Sequence, residues 1–160
     1  WKNVNTTTPD ADSDIDGPQN TADMVADGNS TVYPCAHFCN DAAIGGFSDW
    51  YMPAVNEAEV CYFNLKPGTQ NNNTSFGINP NAVPARASNY TNSPSVPSQT
   101  SAAAFQTGGA EPFVAAGYWS STEFAANSAL VKGFYGGQQD TYGVGKTFSF
   151  RVRCIRRVAV

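Results

Sequence analysis

The segment from residue 66 to residue 116 most constrains what this chain can fold into. It holds six of the ten prolines and seven asparagines of the sequence, with few large apolar side chains. These residue types favour turns over regular ladders, and an irregular connection of about fifty residues is rare in a compact domain. We therefore expect a long loop region that either carries function or is ordered by packing its scattered aromatic side chains onto the body of the domain.

Length and composition indicate one domain spanning residues 1–160. Hydrophobic residues make up 41% of the chain, enough for a core, whereas charged residues make up only 14%. The net charge of −4 disfavours a nucleic-acid partner, and no apolar run is long enough for membrane insertion. The single histidine, His37, leaves little scope for a Ser-His or Cys-His triad, so we expect no enzymatic activity.

Two helices are predicted on the N-terminal side of the loop. The first begins at Pro34, because proline is favoured at the first helical position, and it ends at Gly45–Gly46. Its apolar stripe is Cys35, Phe38, Cys39 and Ala42. The second begins at Asn56, an N-cap residue with Glu59 three positions later. Its apolar stripe is Ala58, Cys61, Tyr62 and Leu65. Residues 1–32 show no clear period and are predicted to be an acidic, turn-rich segment.

Three strands are predicted on the C-terminal side of the loop, at residues 117–122, 130–135 and 147–154. In the third, apolar and polar residues alternate, which is typical of a strand with one buried face. Helices followed by antiparallel strands indicate an α+β fold with a small twisted sheet. Lys132 falls on the apolar side of its strand, and the sequence offers no reason for it. The residues expected in the core include Trp50, Trp119, Phe134 and Phe148.

Three short motifs, in order along the chain, resemble the signature of a known family. They are Gly-Gly-Phe-Ser-Asp-Trp-Tyr-Met-Pro at residues 45–53, Tyr-Trp-Ser-Ser-Thr at 118–122 and Val-Arg-Cys-Ile-Arg at 152–156. They resemble motifs of the Lcl C-terminal domain family. The resemblance implies a C-type-lectin-like fold and an extracellular adhesin module. It covers about residues 16–158.

Two further segments are similar to bacteriophage tail-fibre and other virion proteins. These are Tyr-Phe-Asn-Leu-Lys-Pro at residues 62–67 and Asn-Pro-Asn-Ala-Val-Pro-Ala-Arg at residues 79–86. They imply a place on a virion surface. Two departures limit what else can be carried over. Only Cys154 lies near the C-terminus, so the oxidase chemistry of the related formylglycine-generating enzymes is not expected, and the calcium-and-sugar motif of animal lectins is missing.

The four cysteines are expected to point into one core. The family pattern implies a disulfide between Cys39 and Cys154, which leaves Cys35 and Cys61 on two helices that must pack together. We therefore expect a second Cys35–Cys61 bridge. The alternatives are four buried thiols or a zinc site, although Cys-x3-Cys is not a usual zinc spacing.

An acidic segment at residues 12–23 matches a calcium-loop template. Acids occupy loop positions 1, 3 and 5, glycine occupies position 6, and Asp23 stands at position 12 in place of glutamate. The candidate ligands are Asp12, Asp14, Asp16, Pro18, Asn20 and Asp23. The alternative is a solvated acidic turn that shapes the entry to the first helix. No other cofactor is expected.

A set of aromatic and polar residues near turns is the predicted ligand-binding site. Tyrosine and phenylalanine rings can stack on sugar rings, while amides and carboxylates bind hydroxyl groups. The candidates are Arg86, Tyr90, Phe124, Asn127, Tyr135, Gln138, Gln139, Asp140 and Tyr142. Alternatively, the aromatic side chains fasten the loops to the core. The expected function is non-enzymatic recognition of a host-surface glycan or protein, at a phage tail fibre or elsewhere on a virion.

A second hypothesis uses the same fold for assembly. The chain would then be a structural virion or filament subunit, such as a capsid-decorating, tail or pilus-like protein, and would form a homo-oligomer or a larger assembly. Its contacts would come from the basic strip at residues 151–157 and from the acidic N-terminal segment. A simpler interpretation is that the basic strip and the acidic segment lie side by side and neutralise each other's charge.

Overall fold

The computed structural model describes residues 1–140 and 142–158 and shows a small α+β fold. Three helices precede the loop: α1 (Gly17–Asp27), α2 (Pro34–Asn40) and α3 (Val55–Leu65). Three strands follow it: β1 (Gly117–Ala125), β2 (Ser128–Gly133) and β3 (Val144–Gly145). They form an antiparallel sheet in the order β1-β2-β3. No helix in the described ranges is long and apolar enough to cross a membrane.

The helix α1 lies in the segment that the sequence predicted to be irregular. Its buried face carries Asn20 and Thr21 beside Gly17 and Met24, so it shows no apolar stripe. The buried polar groups are satisfied locally: the Thr21 hydroxyl donates to the Gly17 carbonyl at 2.7 Å, and the Asn20 amide donates to the Ser13 carbonyl at 2.7 Å. A face built from hydrogen-bonded small residues escapes a search for apolar periodicity.

The other two helices form with boundaries and faces that differ from the predicted ones. α2 ends at Asn40, well before the glycine pair, and buries Ala36 and Cys39 while Phe38 is 63% exposed. In α3, the carboxylate that caps the first turn belongs to Glu57, which accepts from the Ala54 amide at 2.9 Å. Glu59, the predicted capping residue, is instead buried inside the protein.

The segment from residue 147 to residue 154 is not a regular strand. It pairs with β1 only at an isolated parallel bridge between Tyr118 and Arg151. Phe148 is 63% exposed and Phe150 is 38% exposed, so the predicted alternation of buried and wet positions is wrong. The Phe150 ring nevertheless contacts the Trp119 ring edge-on, with the ring centroids 5.1 Å apart.

Between α3 and β1, the only regular element in the described residues is a single 3-10 turn at Ala103–Phe105. Side chains of this loop region enter the protein at several points. Tyr90 and Phe113 are both buried, and they pack with rings from the scaffold. The loop region is thus ordered by side-chain contacts and not by backbone ladders.

The core consists of two clusters. The first core cluster contains Trp1, Met24, Tyr33, Cys39, Met52, Trp119 and Val131, among others. The second core cluster contains Tyr62, Tyr90, Phe113, Tyr118 and Phe134. Trp50 is only half-buried and belongs to neither, so its predicted core position is wrong. Trp1 lies in the first cluster instead, and its indole donates to the Ser120 carbonyl at 2.6 Å.

The Cys39–Cys154 disulfide is present, with the two Cα atoms 5.2 Å apart, which confirms this bridge. The predicted second bridge is wrong, because Cys35 and Cys61 are both free. Cys35 packs against the first core cluster, whereas Cys61 packs against the second. Burial raises the pKa of the Cys61 thiol to about 12, which keeps it protonated and unreactive at neutral pH.

All four lysines of the chain are buried, and each amine donates to a backbone carbonyl. The acceptors lie in irregular segments, whose carbonyls have no ladder partner. Lys2 donates to Thr7, Lys66 to Gln70 and Pro97, Lys132 to Gly137, and Lys146 to Thr6.

Candidate functional site

An open groove with room for about 360 Å³ lies beside strand β2 and the turns that follow it. Its size is within the range of small-ligand sites. Its walls combine aromatic rings, aliphatic side chains and polar groups. The lining residues are Phe76, Val131, Gly133, Tyr135, Gln138, Gln139, Asp140, Tyr142, Val144 and Phe150.

Five of the nine predicted ligand-binding residues line this groove: Tyr135, Gln138, Gln139, Asp140 and Tyr142. Tyr142 is 84% exposed and Tyr135 is 51% exposed, so both rings can be reached from solvent. The side-chain oxygen Oε1 of Gln138 is buried and accepts no hydrogen bond within the described part of the chain. The groove therefore offers two accessible rings.

Backbone hydrogen bonds to β2 position the polar wall of the groove. The Gly133 amide donates to the Gln138 carbonyl at 2.7 Å, and the Asp140 amide donates to the Val131 carbonyl at 3.0 Å. The Asp140 carboxylate then accepts from the Tyr142 amide at 3.0 Å, which turns the chain back across the groove.

Gly137 makes the tight turn after β2 possible. Its φ of 78° lies in the left-handed region, which favours glycine. A Cβ atom there would approach the Tyr62 ring to 2.4 Å and the Tyr90 ring to 2.7 Å. The turn consequently rests directly on the second core cluster, and any side chain at this position would push the polar wall away.

Lys132 lies beneath that turn, which accounts for its place on the apolar side of β2. Its amine donates to the Gly137 carbonyl at 2.8 Å. The rings of Tyr62 and Tyr90 lie 5.4 and 5.6 Å from the amine. Burial, and secondarily the charge of Arg86, lower the pKa of Lys132 to about 7.

Two predicted ligand-binding residues, Arg86 and Tyr90, belong to a buried network instead. Tyr90 is 4% exposed, and its hydroxyl donates to the Glu59 carboxylate. Arg86 forms an ion pair with the same carboxylate and lies over the Phe63 ring, 4.1 Å from its centroid. The expectation that Tyr90 is exposed is wrong, whereas ligand binding by Arg86 stays a prediction. Both side chains anchor the loop region to α3.

The acceptor at the centre of this network is Glu59, which was predicted only as a capping residue. Glu59 is 1% exposed and also accepts from the Asn79 amide at 2.7 Å. One signal could have revealed it: Glu59 lies three residues before Tyr62, on the inward face of α3. An acid at that position must be paired when the face is buried.

The remaining two candidates, Phe124 and Asn127, lie outside the groove. Both are exposed near the turn between β1 and β2. Phe124 is 50% exposed and contacts Gly143, the residue after Tyr142. They border the groove residues in the fold without lining the groove.

The acidic segment does not wrap around a common point. Asp12 and Asp14 are exposed, Asp16 caps α1 through the Gln19 amide, and Asp23 binds the Gln19 side chain. The second half of the template is helical, since α1 begins at Gly17. In residues 1–140 and 142–158 no three His, Cys, Asp or Glu side chains gather as a metal site would require. Calcium binding stays a prediction.

Three of the four arginines of the basic strip pair with acids of the same chain. Arg153 binds Glu111 at 2.8 Å, and Arg156 binds Asp49 at 2.8 Å. Arg157 reaches Glu57 at 3.0 Å and Asp16 at 3.5 Å. The contact with Asp16 joins the C-terminal strip to the acidic segment. The strip is thus largely neutralised within the chain.

Comparison with known proteins adds no assignment. No family model, curated protein or solved structure matches this chain. The function is therefore argued from the groove and its chemistry.

Proposed function

We propose that the chain is a non-enzymatic recognition module that binds a glycan in the groove beside β2. The observation that carries the proposal is the convergence of five residues, chosen for their sugar-binding chemistry, on one open groove. An exposed ring presents an apolar face to the C–H side of a sugar, and neighbouring amides and carboxylates take its hydroxyl groups.

The charge of the groove favours a neutral glycan. Asp140 is the one charged side chain among the lining residues, and the whole chain carries a net charge of −4. A sialic or uronic acid would meet repulsion there, whereas a neutral hexose or amino sugar would not.

The place of action is proposed from the motif resemblance. The module would sit on a virion surface, because residues 62–67 and 79–86 resemble segments of phage tail-fibre and other virion proteins. The disulfide is typical of proteins that work outside the reducing cytosol. Binding by one groove would be weak, and several copies on one particle would raise the avidity.

A glycan array probed with a multivalent form of the chain tests this function. We expect binding to neutral glycans and a loss of at least about tenfold, or about 1.4 kcal/mol, for Tyr142→Ala. Phe38→Ala is the matched control, since Phe38 is an exposed aromatic residue on α2, away from the groove. An array without hits, or equal binding by Tyr142→Ala and the wild type, would refute the glycan site.

An assembly role is the second candidate, and one observation favours it. Phe38, Ile44 and Phe47 are between 47% and 63% exposed near α2, and exposed apolar groups of this kind often mark protein contacts. Sedimentation velocity distinguishes the two roles. A stable oligomer that Phe38→Ser dissociates, together with an empty glycan array, would favour the structural subunit.

A further inference from the structure

The buried amine of Lys132 is poorly matched to its surroundings. An ammonium group has three N–H donors, yet the only acceptor it reaches among residues 1–140 and 142–158 is the Gly137 carbonyl. No carboxylate within those residues pairs with it, whereas Lys2 and Lys146 each bind an acid, Asp27 and Glu123. Lys132 is also fully buried. A charge in this position is therefore expensive.

The titratable and charged groups that face Lys132 supply no compensating negative charge. From α3, Tyr62 faces the amine, but its hydroxyl donates to Asn72 at 2.8 Å. From the loop region, Tyr90 and Arg86 face it. Glu59, the acid that binds Arg86 and Tyr90, is already occupied by these two side chains and by Asn79.

The same amine holds the polar wall of the groove. The Gly137 carbonyl that it binds belongs to the turn that leads into Gln138, Gln139 and Asp140. Gly137 also lies against the Tyr62 and Tyr90 rings. Because the amine is fully buried and binds this turn, lifting the turn would expose it to water.

We propose that Lys132 is a positioning residue for the groove: the uncharged amine keeps the Gly136–Asp140 turn closed, and protonation favours an open turn. Control of ligand binding by this step rests on the proposed function, but the opening of the turn does not. In the closed state a protonated amine would be buried without a counter-ion. In an open state the same charge would be hydrated.

The direction of the pH effect follows from proton linkage. In the closed state the pKa of Lys132 is about 7, against an ordinary value of 10.5 that hydration in the open state restores. Between these values the open form binds more protons, so opening increases about tenfold for each unit that the pH falls. Below about pH 7 both forms are protonated and the effect levels off. The groove is best formed at alkaline pH.

Hydrogen exchange of the Gly137 and Asp140 amides tests the proposal without any ligand. After correction for intrinsic exchange rates, we expect opening to be about fiftyfold more frequent at pH 7 than at pH 9 in the wild type, because half of the closed form is already protonated at pH 7. Lys132→Gln keeps a donor but cannot titrate, so its opening should be independent of pH. Lys66→Gln is the matched control: Lys66 is another buried lysine that binds loop carbonyls, but at Gln70 and Pro97. It should keep the wild-type pH dependence at Gly137.

Two results would overturn the proposal. One is a Lys132 amine that titrates near 10.4 in nitrogen-detected NMR. The other is the same pH dependence at Gly137 and Asp140 in Lys132→Gln as in the wild type. Neither depends on glycan binding, so an empty array with pH-dependent exchange would refute the proposed function alone, and bound glycan with pH-independent exchange would refute this inference alone.

Discussion

The two core clusters are held together in different ways. Successive side chains of β1 point to opposite faces of the sheet. Trp119 therefore lies in the first core cluster and Tyr118 in the second. The first is closed by packing of α1 and α2 and by the Cys39–Cys154 disulfide, with the ion-paired amines of Lys2 and Lys146 over its Tyr33 and Trp1 rings. The second is closed by aromatic rings and by buried ionic groups around Glu59.

The difference follows from what each cluster has to hold. The first covers helices, whose backbone groups satisfy one another, and two irregular residues, Thr6 and Thr7, whose carbonyls accept from Lys146 and Lys2. The second holds a loop region whose carbonyls have no ladder, so buried side chains must serve as their donors. Lys66 and Asn72 both donate to the Pro97 carbonyl, at 3.1 and 3.0 Å. An irregular segment can therefore be well ordered when polar side chains replace the missing backbone partners.

Breaking the ionic centre of the second cluster should have the largest effect on stability. Glu59→Gln leaves Arg86 partly buried without its partner, which we expect to lower the free energy of unfolding by about 3–5 kcal/mol. Urea denaturation measures this loss. Amide exchange should rise at Tyr90, whose amide donates to the Phe76 carbonyl, before it rises in α1.

The matched control removes both charges. Glu59→Gln with Arg86→Met leaves no buried ion unpaired, so the double variant should be more stable than Glu59→Gln alone. If the single substitution costs less than about 1 kcal/mol, or the double variant is no better than the single one, the network does not hold the loop region.

Removal of the disulfide should have the next largest effect, and it should act on the first cluster. The bridge joins residues 115 positions apart. Cys39→Ala with Cys154→Ala should lower stability by about 2–4 kcal/mol, because the unfolded chain gains conformational freedom. Cys35→Ala, which removes a free thiol beside the same cluster, is the control and should cost less. Equal urea midpoints for the two variants would contradict a stabilising bridge.

Calcium removal should have the smallest effect. Because α1 begins inside the acidic segment and the carboxylates do not converge, we expect chelation by EGTA to leave the melting temperature unchanged. Scanning calorimetry with and without calcium measures this. A rise in Tm with added calcium, lost in Asp12→Asn but kept in Asp41→Asn, would instead establish the predicted calcium loop.

Sequence reasoning succeeded where side chains follow a backbone period or a motif. The helix α3, the strands β1 and β2 and the Cys39–Cys154 pair were all predicted. Convergence of five groove residues could not be deduced from spacing alone, since it depends on how the turn after β2 folds back. These five residues were predicted from their side-chain chemistry and their positions near turns.

Errors arose where tertiary contacts decide burial. α1 buries Asn20 and Thr21, whose hydrogen bonds replace apolar contacts. Phe148 was predicted on the buried face of a strand, but it faces solvent because only one bridge ties its segment to β1. Cys61 packs against a second cluster, and no feature of the sequence distinguishes that cluster from the first.

The burial of every lysine has a practical consequence for covalent labelling. An acylating reagent meets no lysine amine at the surface of the folded chain. Each amine becomes reactive only when the segment whose carbonyl it binds moves away: residues 6–7 for Lys2 and Lys146, residue 97 for Lys66, and residue 137 for Lys132. Acylation rates measured for each lysine-containing peptide would therefore rank the irregular segments by how often each one detaches from its lysine.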